Sequence, residues 1–114
     1  MAKLINERTN QVILEDLRIA ETFFSRFRGL MGVKSIPENS GLMITPCNSV
    51  HCFFMKFPID VIFLDKENRV VHIMDSVKPG SISPIVRKAK YVIEANAYIL
   101  NEKLQIGDKL IFNN

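Results

Sequence analysis

The stretch at residues 57–64 restricts the fold more than any other part of the sequence, because it is apolar on both faces of an extended strand. Val61 and Phe63 point to one side of such a strand, and Ile62 and Leu64 point to the other. Two apolar faces are typical of a strand that is covered on both sides. The sequence therefore predicts that this strand runs through the interior of the fold.

The residues that follow predict an antiparallel hairpin. Residues 65–68 read Asp-Lys-Glu-Asn, a polar turn in which Asn68 tolerates a positive φ angle. Residues 69–75 then return with alternating apolar side chains, as the second strand of a hairpin would. Alternation or β-branched composition predicts further strands at residues 11–15, 17–19, 42–45, 91–97 and 110–112, the last after a tight turn at 106–109.

One segment has helical rather than strand spacing. Between residues 23 and 31, apolar side chains recur at i, i+1, i+4, i+7 and i+8, which places them in one stripe along a helix. Thr22 can cap the start of this helix, and Gly32 suits the position just past its end. The sequence predicts one short amphipathic helix near residues 22–31.

These elements together predict a mainly β fold. A chain of 114 residues has the size of one domain, so we expect residues 1–114 to form a single globular β domain. Many short strands joined by turns favour a sandwich or a partly closed barrel of antiparallel strands. The alternation of strands and helices that is typical of parallel α/β sheets does not occur in this sequence.

Charge and hydropathy limit the classes of partner. Fifteen Lys and Arg stand against twelve Asp and Glu, and the one basic cluster, residues 87–90, follows Pro84 in a loop predicted at about 78–88. Nucleic-acid surfaces carry a longer basic stripe, so we expect no nucleic-acid partner. No apolar run reaches the roughly 20 residues that cross a bilayer, and no export signal is found, so we expect no membrane partner. We expect a cytoplasmic monomer with reduced thiols.

Reactive side chains concentrate around one segment. Cys47, His51, Cys52 and Met55 fall within nine residues and include both cysteines of the chain. Thiolate, imidazole and thioether are soft ligands that suit Cu(I), or zinc without the thioether. One hypothesis is therefore a soft-metal site formed by Cys47, His51 and Met55. The lack of a Cys-x-x-Cys pair argues against a closed structural zinc site, and no other cofactor is predicted.

Asp60 needs an explanation because it lies inside the most apolar strand of the chain. A lone buried carboxylate is costly, so Asp60 requires a cation, a row of backbone N–H groups or a bound ligand as its partner. Arg28, Lys56, Arg69 and His51 are the candidate cations. Glu94, on the polar side of the predicted strand 91–97, has the same ambiguity between a structural role and a ligand contact.

A nucleophilic site is the third chemical possibility. It would use Cys47 as the thiolate, His51 as the base and Asp60 as the orienting carboxylate. The sequence spacing does not require these three groups to meet, and no Gly-x-Ser-x-Gly elbow, glycine-rich phosphate loop or zinc-protease motif is present. We predict no catalytic residue, and a thiol- or carboxylate-dependent hydrolase stays an alternative.

The sequence resembles a known protein family. Residues 28–31 read Arg-Gly-Leu-Met, and residues 50–65 read Val-His-Cys-Phe-Phe-Met-Lys-Phe-Pro-Ile-Asp-Val-Ile-Phe-Leu-Asp. With residues 92–94 and 106–108, these are similar to the domain of unknown function 192 family. The resemblance implies a small, mainly β domain and implies no activity. Its motif positions correspond to Arg28, Gly29, Leu30, Met31, Cys47, His51, Met55, Asp60, Glu94 and Asp108.

The leading functional hypothesis is a non-catalytic module that binds a small molecule or a protein segment. Polar groups are concentrated inside an otherwise apolar strand region, which a purely structural core would not need. The predicted cleft lies around His51, Met55 and Asp60. The predicted ligand-binding residues are Arg28, His51, Met55 and Asp60.

Overall fold

The computed structural model describes residues 2–22, 25–26, 29–30, 32–50, 55–100 and 102–113. The strands in these ranges are β1 (Ala2–Asn6), β2 (Gln11–Ala20), β3 (Ser40–Ile44), β4 (Ile59–Leu64), β5 (Val70–Val77), β6 (Tyr91–Asn96) and β7 (Leu110–Asn113). They form one sheet in the order β5-β4-β6-β3-β2-β1-β7. This sheet curls into a half-barrel, which confirms the mainly β prediction and selects the partly closed barrel over the two-sheet sandwich.

The predicted hairpin is present. β4 and β5 pair antiparallel, with Ile62 opposite Ile73, and Asn68 in the connecting turn has a φ angle of 66°. Every residue of β4 is buried, because β4 lies between β5 and β6 within the sheet and both of its faces are covered. The interior position predicted for residues 57–64 is therefore confirmed for the strand that forms there.

The prediction of antiparallel strands fails at one pair, because β2 and β3 run parallel, with Leu17 opposite Gly41. Parallel neighbours need a long crossover, and residues 21–39 supply it between the end of β2 and the start of β3. Because Gly41 has no side chain, β3 can also pack closely against the Leu14 side chain and the backbone of β6. A Cβ atom there would lie 2.6 Å from Leu14 Cδ1 and 3.0 Å from the backbone oxygen of Glu94.

The helix prediction is only partly covered by the structure. Ser25 and Arg26 are helical, and the N–H groups of Arg26 and Gly29 donate to the carbonyls four residues earlier. Of the five residues in the apolar stripe, Leu30 is described and buried, and the other four lie outside the described residues: Phe23, Phe24, Phe27 and Met31. Among the described residues, no helix has the length and apolar character that crossing a lipid bilayer requires.

Two apolar clusters pack against the sheet. The inner cluster takes side chains from all seven strands, including Leu14, Ile62 and Ile93, and it also contains Leu100. Because it collects side chains from every strand, we place it on the concave side of the half-barrel. The outer cluster packs on the opposite face, where Val61 and other β-strand residues meet residues from the loops. The face of the sheet on which a side chain lies therefore determines which of the two clusters it joins.

The open half-barrel is closed at one end by a polar clamp. Asp108 is buried and accepts hydrogen bonds from Arg8 Nε at 2.7 Å, Asn6 Nδ2 at 2.9 Å and the Gln105 N–H at 2.9 Å. Its own carbonyl accepts a hydrogen bond from the N–H of Val70 at 2.8 Å, which links the start of β5 to the turn before β7. The hydrogen bond from Arg8, opposed by burial, lowers the pKa of Asp108 to about 2.

We expect Asp108→Asn to make the protein less stable above pH 4 by about 1–2 kcal/mol, a modest figure because Arg8 is half exposed. A carboxyl with a lowered pKa stabilises the fold above its unfolded pKa, so the wild type should lose this contribution as the pH falls from about 4 to about 2. Urea unfolding across this range measures the effect. Equal pH profiles for the two proteins would contradict the clamp.

Candidate functional site

Asp60 is fully buried, and backbone donors surround it. Its Oδ1 accepts the N–H of Ser76 at 2.9 Å, and its Oδ2 accepts the N–H groups of Ile99 and Leu100, each at 3.0 Å. Of the three kinds of partner that the sequence allowed, the structure shows a row of backbone N–H groups. The Asp60 carboxyl also has a second carboxyl, that of Asp75, as a neighbour. Burial, and then a hydrogen bond with Asp60, raise the pKa of Asp75.

Met55 and Cys47 lie on the other side of the sheet from Asp60. Met55 belongs to the outer cluster, and Cys47 packs against that cluster. Asp60 alternates with Ile59 and Val61, which belong to the outer cluster, so its side chain projects towards the inner face. The structure therefore brings Met55 and Cys47 to one face and leaves Asp60 on the opposite one.

Three of the predicted site residues, His51, Cys52 and Arg28, lie outside the described residues. Their roles in ligand binding, in the soft-metal site and in the hydrolase alternative stay predictions. Within the ranges that the structure describes, no group of three His, Cys, Asp or Glu side chains is arranged to hold a metal ion.

The surroundings of Cys47 favour the thiol over the thiolate. Its Sγ donates a hydrogen bond to the carbonyl oxygen of Ser49 at 3.0 Å. Burial is the largest cause and raises the pKa of the Cys47 thiol. The hydrogen bond with the Ser49 backbone and the Arg26 guanidinium lower this pKa, whereas the Glu94 carboxyl raises it further. A raised pKa reduces the fraction of thiolate, the form that both metal binding and nucleophilic attack require.

Glu94 is the most unusual titratable group on the outer face. It lies in the middle of the sheet, opposite Leu42 on one side and Val61 on the other, and is only 3% exposed. Within the described part of the chain, its Oε1 has no hydrogen-bond partner. Burial among apolar neighbours raises the pKa of Glu94 to about 7. Glu94 therefore changes charge near neutral pH.

A glycine turn approaches this carboxyl. Gly29 has a φ angle of 48°, and a Cβ atom added there would lie 3.2 Å from Glu94 Oε1. Gly29 also lines a cavity of about 330 Å³ together with Gly41, Leu42 and residues of the β2–β3 crossover. The carboxyl thus lies directly beneath a turn that forms part of a cavity wall.

Arg26 adds a second unsatisfied polar atom to this region. Its Nη1 donates to the carbonyl of Pro46 at 3.1 Å, whereas its Nε is buried and has no hydrogen-bond partner among the described residues. Arg26 and Glu94 both act electrostatically on Cys47, so the three groups belong to one neighbourhood. We call Arg26, Gly29, Cys47 and Glu94 the outer-face site.

The sequence alone predicts part of this site. Cys47 and Glu94 are candidates from the sequence and Gly29 is a motif position, whereas Arg26 is not among the predicted site residues. The signal for Glu94 was a carboxylate in a strand whose other residues are mostly apolar. No sequence signal distinguishes Arg26, because its contact with Pro46 depends on how the crossover packs on the sheet.

The chain is similar to known proteins over almost its full length. The model of the DUF192 family, described as "Uncharacterized ACR", matches residues 4–112. A UPF0127 protein from Thermococcus sibiricus is 37% identical over 113 residues, which cover 94% of this chain and 72% of that protein. A UPF0127 protein from Pyrococcus horikoshii is 36% identical over 113 residues, which cover 94% of this chain and 96% of that protein.

A solved structure shares the fold. The crystal structure of a protein of unknown function from Novosphingobium aromaticivorans matches with a TM-score of 0.82 and covers 96% of this chain and 82% of that one. The two sequences are 20% identical, so this likeness concerns the fold alone. Because the family model and the archaeal relatives match nearly the whole chain, the chain belongs to the DUF192 family, as its motifs indicated.

Proposed function

We propose that this protein is a non-catalytic binding module that holds a small polar molecule at the outer-face site. The observation that carries the proposal is the buried Glu94 carboxyl, whose Oε1 has no partner among the described residues. An unpartnered buried carboxyl lowers stability whenever it is ionised. Groups that lower the stability of the fold are typical of functional sites, so the Glu94 carboxyl marks a candidate binding site.

The two unsatisfied atoms define the chemistry of the ligand. Glu94 Oε1 calls for an N–H or O–H donor, and Arg26 Nε calls for an acceptor. A molecule that carries both kinds of group, such as an amide, would satisfy both atoms. Of the four residues of the outer-face site, only Gly29 lines the cavity of about 330 Å³, whose volume falls at the lower end of those of small-molecule sites, about 300–1,000 Å³.

The predicted ligand residues relate to this site in different ways. Arg28 precedes Gly29 in the sequence, and Met55 belongs to the outer cluster, so both stay candidates for ligand contact. Asp60 faces away from the outer-face site and already accepts three backbone hydrogen bonds. We therefore propose Glu94, rather than Asp60, as the carboxyl that contacts the ligand.

An NMR titration tests the proposal. Acetamide, acetate and methylguanidinium are added separately to the ¹⁵N-labelled full chain. We expect acetamide to shift the amide signals of Gly29, Gly41 and Glu94 together. Glu94→Gln should weaken this binding by about tenfold, the loss expected for one hydrogen bond to a charged group. The matched control is Glu67→Gln, an exposed carboxyl in the β4–β5 turn, which should bind as the wild type does.

Two results would contradict this function. One is a set of shifts confined to the basic loop at residues 87–90. The other is acetamide affinity that is the same in the wild type and in Glu94→Gln.

A further inference from the structure

The loop between β5 and β6 presents two exposed aliphatic side chains. Ile82 is 66% exposed and Ile85 is 72% exposed, although isoleucine is usually a core residue. Neither side chain is needed to fill the inner or the outer cluster. Exposure of this degree means that both side chains project from the surface.

The backbone holds these isoleucines in place. Ser83, between them, is buried, and its N–H donates to the Val50 carbonyl at 2.9 Å. Its Oγ accepts the Val50 N–H at 2.8 Å and donates to the Pro84 carbonyl at 2.9 Å. On the far side, the N–H of Val86 donates to the Asn48 carbonyl at 2.8 Å. The serine is tied inward, so the backbone already holds the flanking isoleucines outward and less conformational entropy remains to be lost on docking.

The surroundings of this apolar tip are basic. Lys78, Arg87, Lys88 and Lys90 are all exposed, and the chain has no acidic residue between positions 76 and 93. In the part of the chain that the structure describes, neither Arg87 nor Lys88 forms a salt bridge. Lys90 Nζ lies 5.5 Å from the centre of the Tyr91 ring. The loop therefore combines projecting apolar side chains with unneutralised positive charge.

We propose that residues 78–90 dock onto the surface of an anionic lipid bilayer. The two isoleucines enter the boundary between headgroups and acyl chains, and the basic side chains face the lipid phosphates. A projecting apolar tip fits a deformable surface, and the excess of positive charge complements anionic headgroups. The expectation of no membrane partner rests on the lack of a membrane-spanning run and of an export signal, and docking of this kind needs neither.

Vesicle sedimentation with the full chain tests this docking. Vesicles of phosphatidylcholine alone are compared with vesicles that also contain about 30% phosphatidylglycerol, at about 0.1 M and about 1 M salt. We expect binding only to the anionic vesicles and only at the lower salt concentration. Ile82→Ser with Ile85→Ser should reduce the bound fraction by about tenfold or more, as should Arg87→Gln with Lys88→Gln.

The matched control carries two exposed isoleucines elsewhere. Ile106→Ser with Ile111→Ser should bind as the wild type does, because neither residue belongs to the loop. Equal binding by the Ile82/Ile85 double variant, equal binding to neutral vesicles, or no binding by the wild type would overturn the proposal. It would also be overturned if soluble poly-glutamate bound the loop and anionic vesicles did not, since the partner would then be an acidic polypeptide. Thermal melts establish that each variant is folded.

Discussion

We expect Asp60→Asn to lower the free energy of unfolding by about 3–5 kcal/mol, the largest effect of any single substitution considered for this protein. The carboxylate accepts three backbone N–H groups in a fully buried position, and hydrogen bonds to charged groups contribute about 1.5–3 kcal/mol each. An asparagine side chain has one acceptor oxygen, and its NH₂ group would face a backbone donor. Urea unfolding at neutral pH measures the loss.

The physical reason goes beyond the number of hydrogen bonds. Ser76 has a φ angle of 51° and Tyr98, just before Ile99, has a φ angle of 69°. Non-glycine residues in this region of φ carry strain and persist only where surrounding contacts hold them. Asp60 accepts the N–H of Ser76 itself and the N–H of Ile99, which follows Tyr98. It therefore links the end of β5 to residues 99–100, which pack in the inner cluster.

Asp65→Asn is the matched control. Asp65 Oδ1 also accepts two backbone N–H groups, from Glu67 and Arg69, but these bonds lie in an exposed turn. Water can replace a partner there, so we expect a loss of about 1 kcal/mol or less. Equal losses in Asp60→Asn and Asp65→Asn would show that Asp60 is in contact with water and would contradict its role as a buried acceptor of three backbone hydrogen bonds.

The second large effect is a dependence of stability on pH that comes from Glu94. Its pKa is about 7 in the folded protein, against 4.5 for an ordinary glutamate, because burial disfavours the charged form. The folded state therefore binds more protons than the unfolded state between these two pH values. Stability must fall as the pH rises from about 4.5 to about 7, and the full loss persists above that range.

We expect the wild type to lose about 2–3 kcal/mol of stability between pH 5 and pH 8 through this group. Glu94→Gln removes the charge, so its stability should change less over the same range and should exceed that of the wild type at pH 8 by about 2 kcal/mol. Urea unfolding at several pH values gives both profiles. Glu67→Gln, with its exposed side chain, should follow the wild type.

Parallel profiles for the wild type and Glu94→Gln would mean that Glu94 titrates in the folded protein as it does in the unfolded chain. That result would remove the argument for an unpartnered buried carboxyl, and with it the proposed binding site. The proposed docking of residues 78–90 to a bilayer would stand, since it does not involve Glu94.

Much of the sheet follows from local sequence patterns. Side-chain periodicity predicted β4, β5 and β6, because the period of a strand is two and each of these segments has one or two apolar faces. The tight turn at residues 106–109 predicted β7. β1 was not predicted, since Lys3 and Asn6 interrupt its apolar residues. That strand is stabilised by its pairing with β2 and β7, and the β7 contact joins the two ends of the chain.

For the candidate site too, some properties follow from the local sequence and others only from the tertiary structure. The sequence alone determined that Asp60 needs a partner, because a carboxylate in an apolar strand is costly wherever the strand lies. Only the tertiary structure decided which partner it has, since its donors lie 16, 39 and 40 residues away in the chain. Likewise, alternation put Glu94 on a polar strand face, and the loops that cover the outer face made that position buried. Periodicity is a local property of the chain, whereas burial and hydrogen bonding depend on segments that meet only when it folds.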